Sequence, residues 1–555
     1  MILSDYRLHV EYELNGITYS ADKENDVFSL IAHEVGESAL KLSIKTNQKV
    51  LLKKVAFKYN YNFSDDEKIY VNGYQSWTKS REYTKKDKQY GLRSVSKYGI
   101  VREYAAPSGD YDFARYGGKG FFHAITYGYI RKGYELLLLG SLSDRMGYTV
   151  IYFDTRRNEI SIEKDVEGLS VEGEYLLIDF RTFKGGYDEV FDAYFAAMGI
   201  KKPRIDHLAG YTSWYNYFQS IDEKIINRDL DGLLTVKDKG VNIFQIDDGY
   251  AKHVGDWLTL DEKKFPNGLK PIVDRVHENG LLAGLWMAPF SADFKANIVK
   301  EHPDWFLKNE KGKKIIGGLA WGGFWVLDHE IPEVREYIGK CFRKVFDEYG
   351  FDMVKLDFLY SACIIPRNNK TRGQLMYEAM DFLRECCGDK LILGCGVPIA
   401  PAMGVVDACR ISCDVELSFK DKFYTKCTNQ EIISTKNAMN NSIFRRHLNH
   451  RAWINDPDVF FLRDDGMRPA KYNWEQKLLL AKINNMFGNV LFVSDNIGAY
   501  DDNKRQVLID SYKPFDGKVK MCEYVDAKHI KIEFEKGGKD FTLVYNTCTG
   551  QFSIN

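Results

Sequence analysis

The stretch Phe351-Asp352-Met353-Val354-Lys355-Leu356-Asp357-Phe358-Leu359-Tyr360 predicts a short buried strand that ends on a carboxylate. Because side chains alternate between the two faces of a strand, Lys355 and Asp357 point the same way. If the strand lies in a barrel of parallel strands, its carboxyl end opens into the active-site mouth. We therefore interpret Asp357 as a nucleophile and Lys355 as a cation that helps to keep it ionised.

Strand-like and helix-like segments alternate around this stretch, from about residue 201 to residue 500. The candidate strands end near Trp214, Asp247, Trp286, Asp357, Cys395, Asp414, Leu462 and Ser494. The candidate helices lie at 222–239, 268–279, 332–349, 371–387, 429–450 and 474–487. Eight strands that alternate with helices over about 290 residues are typical of a (β/α)8 barrel. We assign Phe324–Asp328 to an insertion after the third strand, which keeps the strand count at eight.

The segments on both sides of the barrel are rich in predicted strands. Residues 1–200 contain many short alternating runs separated by turns such as Asn15-Gly16, which predicts an N-terminal β-sandwich domain. An amphipathic helix at Tyr187–Met198 and a linker at Lys201–Arg204 follow it. Residues 501–555 become strand-like again and predict a small C-terminal antiparallel β domain. The predicted fold class is therefore α/β, a TIM barrel at 201–500 with a β domain on each side.

Charge and motif content argue against several classes of partner. The chain has 77 basic and 78 acidic residues, a balance that points to neither nucleic acid nor a membrane surface. No stretch is long and apolar enough to span a bilayer, and the first residues lack the pattern of a secretory signal. The eleven histidines are scattered without HExxH, so we expect no metal and no cofactor. All ten cysteines lie at or after Cys341, which favours reduced thiols and a cytoplasmic location.

Two groups of polar residues accompany the predicted strand ends, where barrel enzymes keep their sites. Asp247 and Asp248 can accept hydrogen bonds from sugar hydroxyls, although Asp-Asp-Gly is also favourable turn chemistry. Asp414 lies four residues after Arg410, so the two share a face if the strand continues. A general acid needs a raised pKa, which Arg410 opposes. Either Arg410 contacts substrate, or other carboxylates offset it, or Asp414 is only its structural ion-pair partner.

The pair Asp357 and Asp414 matches the requirement of glycoside hydrolysis for two carboxylates. One attacks the sugar or activates water, and the other protonates the leaving oxygen. A separation of about 5–5.5 Å would indicate a retaining mechanism. The aromatic content of 14% suits stacking on sugar rings, but composition alone favours the simpler interpretation that large cores and sheets use these residues.

Many motifs in the barrel, in this order, resemble the α-galactosidases of glycoside hydrolase family 36. The stretches that carry the resemblance are Ser213–Phe218, Phe244–Tyr250, Gly255–Trp257, Gly284–Phe290, Lys355–Leu359, Leu393–Gly396 and Trp453–Asp458. The run Asn72-Gly73-Tyr74-Gln75-Ser76-Trp77 extends the resemblance into the N-terminal region.

The resemblance implies an N-terminal β-supersandwich, a barrel and a C-terminal β domain in a compact family member. It implies retaining, exo-acting hydrolysis of terminal α-galactosyl groups of small oligosaccharides such as melibiose or raffinose, with Asp357 as the nucleophile and Asp414 as the acid/base. Asp247 and Asp248 would hold the O4 and O6 hydroxyls. The other implied pocket residues are Trp77, Trp214, Trp286, Lys355, Cys395 and Arg410. The oligomeric state stays open.

Several alternatives also stay open. The Ser412-Cys413 pair and residues 415–419 lie near the expected position of the sugar C2 substituent, so an α-N-acetylgalactosaminidase with the same mechanism is the main alternative. A transglycosylase is a further variant. The presence of both carboxylates argues against a non-catalytic sugar-binding protein. A Schiff-base enzyme that uses Lys355 is disfavoured, because the nearby Asp357 stabilises the charged ammonium.

Overall fold

A computed structural model of the chain describes residues 1–426 and 428–555, without the side chains of residues 424 and 426. The described residues form a central parallel barrel, a large antiparallel sheet before it and a small antiparallel sheet after it. This architecture confirms the predicted fold class. None of the described helices is both long and apolar enough to cross a bilayer.

The N-terminal region forms a sheet of twelve described strands, all paired antiparallel. They are β1 (Arg7–Leu14), β2 (Ile17–Ala21), β3 (Phe28–Val35), β4 (Ala39–Asn60), β5 (Lys68–Val71), β6 (Arg81–Tyr83), β7 (Phe121–Ile125), β8 (Tyr127–Lys132), β9 (Glu135–Ser141), β10 (Thr149–Asp154), β11 (Glu159–Lys164) and β12 (Ser170–Gly185). The long strand β4 pairs with β1, β3, β11 and β12 and so organises the sheet. A short helix, α1 (Gly99–Ala105), interrupts the strands, and α2 (Tyr187–Ala197) follows them.

The two faces of this sheet serve different cores. On β8 and β9, Ile130 and Leu139 belong to a core of the N-terminal region alone, whereas Tyr129 and Leu138 belong to the core of the barrel. Strand side chains alternate in direction, so a strand buried on both sides joins two hydrophobic cores. This packing fixes the N-terminal sheet against the barrel.

Eight short parallel strands form the nearly closed barrel. The first three are β13 (Leu208–Thr212), β14 (Ile243–Ile246) and β15 (Leu282–Met287). An insertion then adds a three-stranded sheet of β16 (Ser291–Asp293), β17 (Ile316–Gly318) and β18 (Phe324–Val326), consistent with the assignment of Phe324–Asp328 outside the barrel. The remaining barrel strands are β19 (Met353–Leu356), β20 (Leu391–Gly394), β21 (Ala408–Arg410), β22 (Ile454–Asp456) and β23 (Val490–Val493). Nearly every residue of these strands is buried, as expected for a parallel sheet that is covered on both faces.

Ten described helices accompany the barrel, and five of them begin at a side-chain cap. They are α3 (Trp214–Tyr217), α4 (Glu223–Leu234), α5 (Lys270–Glu278), α6 (Ile298–Glu301), α7 (Pro332–Arg343), α8 (Arg372–Cys387), α9 (Ile399–Ala402), α10 (Thr435–Phe444), α11 (Trp474–Phe487) and α12 (Asp502–Tyr512). The side chain of Asp222 accepts a hydrogen bond from the N–H of Ile225 at the start of α4. Thr371 and Gln374 form a reciprocal capping box at the start of α8.

The predicted positions of the sixth and seventh barrel strands are wrong. β22 ends at Asp456, whereas the prediction placed the end near Leu462, and β21 ends at Arg410 rather than at Asp414. Residues 459–462 are apolar and almost fully buried, but Phe460 forms only an isolated bridge to Val493. An apolar run indicates that a segment is buried, but a buried segment need not pair as a strand. The run at 459–462 therefore misled the prediction.

The predicted helix at 429–450 also begins later than expected. α10 starts at Thr435, because the Ser434 side chain caps it by accepting a hydrogen bond from the N–H of Asn437 at 3.1 Å. Residues 429–433 are therefore loop. Because this segment is loop rather than helix, its side chains can reach the site described below.

The last part of the chain forms a four-stranded antiparallel sheet. Its strands are β24 (Lys518–Tyr524), β25 (His529–Lys536), β26 (Lys539–Asn546) and β27 (Phe552–Ile554). The hydroxyl of Tyr512 at the end of α12 donates to the carbonyl of Gly210 in the first barrel strand at 2.7 Å. The nine cysteines among the described residues are free thiols, and Cys427 lies outside the description.

Candidate active site

A cavity of about 740 Å³ opens at the carboxyl ends of the barrel strands. Eight of the ten predicted site residues line it: Trp77, Trp214, Asp247, Asp248, Trp286, Lys355, Asp357 and Asp414. Arg410 and Cys395 are buried behind this wall, with 1% and 0% of their surfaces exposed. Side chains from both the barrel and the N-terminal sheet region therefore meet at one cavity.

Asp357 lies directly after β19 and is 7% exposed. Its Oδ2 accepts a hydrogen bond from the indole N–H of Trp286 at 3.1 Å, and its Oδ1 accepts one from the N–H of Phe358 at 2.8 Å. Burial raises the pKa of Asp357, and the charge of Asp414 adds to the rise. Lys355 and the two hydrogen bonds lower the pKa, but the net direction is upward. Lys355 thus favours the ionised form, as expected, without bringing the pKa below its ordinary value.

The direct partner of Lys355 is Asp247 rather than Asp357. The Lys355 ammonium lies 2.9 Å from Asp247 Oδ2. Burial disfavours the charge, but the neighbouring acidic groups, with Asp247 first, hold the pKa of Lys355 above its ordinary value. A Schiff base requires a neutral amine, so this environment opposes that chemistry.

Asp247 and Asp248 accept hydrogen bonds from different side chains. Asp247 Oδ2 also accepts from the side-chain amide of Gln245 at 3.0 Å. Asp248 Oδ2 accepts from the side-chain amide of Gln219 at 2.9 Å and from the indole N–H of Trp321 at 2.8 Å. Burial raises the pKa of Asp248 to about 6, with Asp247 adding to the rise and the two donors opposing it. Both carboxylates remain at the cavity wall, where they can accept further hydrogen bonds from a ligand.

Arg410 joins two carboxylates. Its Nη2 lies 3.0 Å from an oxygen of Asp414 and 3.0 Å from an oxygen of Asp458. Since the strand ends at Arg410, the contact with Asp414 comes from the loop and not from strand alternation. Burial raises the pKa of Asp458, and Arg410 opposes that rise. Arg410 thus forms an ion pair with Asp414 and has a second carboxylate, Asp458, that offsets its charge.

The N-terminal region delivers Trp77 to the cavity through a tightly held loop. The guanidinium of Arg445 donates to the backbone carbonyls of Gly73, Gln75 and Ser76. The Trp77 ring packs edge-to-face on Phe358, with 5.3 Å between ring centroids. Trp77 is thereby placed over the residue that follows Asp357.

Gln219, Trp321 and Glu431 are among the cavity residues that escaped sequence reasoning. Gln219 and Trp321 donate hydrogen bonds to Asp248, and Trp321 lies in the insertion after the third barrel strand. Glu431 lines the cavity from the loop before α10, and burial raises its pKa to about 7 although Tyr111 and Thr78 donate hydrogen bonds to it. The prediction places Glu431 inside a helix at 429–450, and so it does not identify Glu431 as a residue of a loop at the site. A capping serine at 434 was the signal that could have ended that helix earlier.

Residues 1–426 and 428–555 contain no group of His, Cys, Asp and Glu side chains arranged to hold a metal ion. The chemistry that these residues themselves offer is that of paired carboxylates with cationic and indole neighbours.

Comparisons with known proteins agree with the motifs. Residues 213–378 match the family model described as Melibiase. An α-galactosidase of Escherichia coli is 32% identical over 159 residues, which are 26% of this chain and 22% of that protein. The α-galactosidase Mel36A of Lactobacillus acidophilus is 37% identical over 138 residues, 23% of this chain and 18% of that protein. The chain thus matches about a fifth of the length of these curated relatives.

The fold is also found in a solved structure. TtGalA, an α-galactosidase from Thermus thermophilus in complex with p-nitrophenyl α-D-galactopyranoside, superposes with a TM-score of 0.71 at 23% identity. The match covers 96% of this chain and 98% of that one. The same protein has been solved with stachyose. The likeness establishes a shared fold over nearly the whole chain.

Proposed function

We propose that this chain, residues 213–378 of which match the Melibiase family model, is a retaining, exo-acting α-galactosidase of glycoside hydrolase family 36. Its substrates would be small oligosaccharides with a terminal α-galactosyl group, the class represented by the stachyose bound to the Thermus thermophilus protein. One observation carries the proposal. Asp357 and Asp414 line the same cavity as the acidic pair Asp247 and Asp248.

In the first step, ionised Asp357 attacks the anomeric carbon while Asp414 gives its proton to the leaving oxygen. The glycosidic bond breaks, and a covalent glycosyl ester forms on Asp357. In the second step, Asp414 accepts a proton from water, and the water oxygen displaces the Asp357 carboxylate. Two inversions at the anomeric carbon give net retention.

The surroundings of the two carboxylates support these roles. Asp357 must be ionised to attack, and Trp286, the Phe358 N–H and Lys355 each favour the ionised form. Asp414 must carry a proton, which a dedicated arginine would oppose. Since Arg410 is shared with Asp458, its charge is not devoted to Asp414 alone.

The specificity proposal assigns galactose recognition to the deep end of the cavity. Asp247, Asp248 and Lys355 would accept and donate hydrogen bonds at the O4 and O6 hydroxyls. A site built to bond an axial O4 discriminates against the epimer, because its buried polar groups would lose their partners. The sequence positions near the expected C2 substituent, Ser412 and Cys413, are both fully buried and do not line the cavity. They therefore offer no open wall for a 2-acetamido group.

The direct test compares p-nitrophenyl α-galactoside with the α-N-acetylgalactosaminide and the α-glucoside. We expect kcat/KM to be highest for the α-galactoside by at least about 100-fold. Preference for the α-N-acetylgalactosaminide would replace the proposed substrate with the alternative one. Products analysed with excess acceptor sugar would reveal a transglycosylase.

The hydrogen bond from Trp286 predicts a shift in pH dependence. In Trp286→Phe, Asp357 loses a donor that stabilises its ionised form, so its pKa rises. Because the reaction needs ionised Asp357, the acidic limb of the kcat/KM profile should move to higher pH by about one unit. Trp305→Phe is the matched control, since Trp305 stacks on His302 away from the cavity, and its acidic limb should not move. An unmoved limb in Trp286→Phe would contradict the role given to this hydrogen bond.

A further inference from the structure

Glu431 is a buried carboxyl in the cavity wall that the reaction described above does not use. It is 5% exposed and belongs to the loop between the sixth barrel strand and α10. Two exposed apolar residues also line the cavity: Ile433, two positions later, is 42% exposed, and Leu319 of the insertion is 62% exposed. Asp247 and Asp248 at the opposite end are 2% and 4% exposed. The cavity therefore has a deep acidic end and a shallow apolar rim, and Glu431 is in the loop that forms part of the rim.

Both oxygens of Glu431 are held by the N-terminal region. The hydroxyl of Thr78 donates to Oε1 at 2.8 Å, and the hydroxyl of Tyr111 donates to Oε2 at 2.6 Å. Thr78 directly follows Trp77, which lines the same cavity. One carboxylate thus ties the Trp77 loop, the segment around Tyr111 and the 429–433 loop together.

Further hydrogen bonds complete a network around this carboxylate. The side-chain amide of Asn429 donates to the Ala105 carbonyl at 3.2 Å and to the Ser108 hydroxyl at 3.1 Å. The Gln75 side-chain amide donates to the Ser108 carbonyl at 2.9 Å, and its oxygen accepts from the N–H of Trp77 at 2.9 Å. The route from Asn429 through Ser108 and Gln75 returns to Trp77. Buried networks of this kind fix the geometry of their members when every group is satisfied.

We propose that Glu431 is a positioning residue that sets the leaving-group side of the cavity by holding Trp77 against the 429–433 loop. This inference rests on the proposed function. An exo-acting enzyme holds the terminal sugar at the closed end of its cavity, so the leaving group extends toward the open rim. Part of the rim is built from two segments of the chain that lie more than 300 residues apart in the sequence and meet at Glu431. Glu431 therefore fixes the shape of this part of the rim, whereas Asp247 and Asp248 at the deep end are held by other partners.

The test compares two substrates that share the galactosyl group. In α-galactosyl fluoride the leaving group is a single atom, whereas in raffinose it is a disaccharide that must cross the rim. In Glu431→Ala, we expect kcat/KM for raffinose to fall by about tenfold, mainly through KM, since both hydrogen bonds by which Glu431 holds the 429–433 loop to the N-terminal region are lost. The kcat/KM for α-galactosyl fluoride should stay within about twofold.

Conservative variants distinguish a loss of positioning from a general loss of folding. Glu431→Gln keeps the shape and one acceptor oxygen and should recover part of the loss for raffinose. Thr78→Val and Tyr111→Phe each remove one donor and should cause a smaller loss with the same substrate dependence. Glu310→Gln, at an exposed position in the insertion, is the matched control and should leave both substrates unaffected.

Equal losses for both substrates, or no loss for raffinose in any of the Glu431, Thr78 and Tyr111 variants, would overturn the inference while leaving the proposed function intact. Wild-type protein that cleaves neither substrate would overturn the proposed function, and the inference with it.

Discussion

Asp357→Gly should lower kcat/KM for p-nitrophenyl α-galactoside by about 10⁴-fold or more, because the covalent route loses its nucleophile. Sodium azide should then restore turnover, since a small anion can occupy the space left by the carboxylate. An activated leaving group does not depend strongly on protonation by Asp414, so the rescue isolates the first step. The azide enters from the face that Asp357 occupied, and the product should be β-galactosyl azide, identified by NMR.

The structure provides a control on the same strand. Asp352, at the opposite end of the stretch that includes β19, accepts hydrogen bonds from the N–H of Ala283 and from His277 and does not line the cavity. Asp352→Asn should retain activity within a few-fold. An Asp357→Gly protein with wild-type activity, or one that yields α-galactosyl azide, would exclude Asp357 as the nucleophile. Circular dichroism of both variants checks that loss of activity is not loss of fold.

Arg410→Met should lower the free energy of unfolding by about 3 kcal/mol near neutral pH, because the buried charge of Asp458 would lose its cation and face Asp414, whose side chain is 25% exposed. The Arg410 side chain is 2% exposed and that of Asp458 is 4% exposed, so water screens the pair little. Urea unfolding followed by tryptophan fluorescence measures the change. Activity should fall as well, since Asp414 loses the group that orients its carboxylate.

The pH dependence of the stability deficit in Arg410→Met distinguishes the loss of charge compensation from a loss of packing. Burial already raises the pKa of Asp458, and without Arg410 this pKa rises further above its value in the unfolded chain. A raised acid pKa destabilises the folded state as pH increases through that range, so the deficit should be larger at pH 7.5 than at pH 5. A deficit independent of pH would point to packing alone.

Two further variants bracket the effect of Arg410→Met. The double variant Arg410→Met/Asp458→Asn removes one of the stranded charges and should recover part of the lost stability. Arg145→Met breaks an ion pair with Asp381 whose side chains are 55% and 53% exposed, and it should change stability by about 1 kcal/mol or less.

The barrel was predictable because its signals are local. The strand at 353–356 is apolar except for Lys355 and is bounded by turn and helix signals, a pattern typical of a parallel strand buried on both faces. The helix at 474–487 matches its prediction residue for residue, since the Asn473 cap and the Gln476 side chain mark its start within the sequence. Other predictions are wrong. Residues 459–462 are apolar and buried but do not pair as a strand, and the helix predicted from 429 begins only after its cap at Ser434.

By itself the sequence determined that Asp357 follows a buried strand at the edge where barrel sites form, and that Asp247 and Asp248 follow another strand. It predicts a strand end at Asp414 as well, whereas the strand ends at Arg410 and Asp414 lies in the loop beyond it. Strand alternation and hydrophobic runs are properties of neighbouring residues, so they can be read from the chain. Only the tertiary structure decided that Lys355 pairs with Asp247 and that Arg410 is shared by Asp414 and Asp458. It also decided that Glu431 meets Thr78, 353 positions away. These contacts depend on the packing of distant segments around a common core, and no local pattern specifies which distant groups will meet.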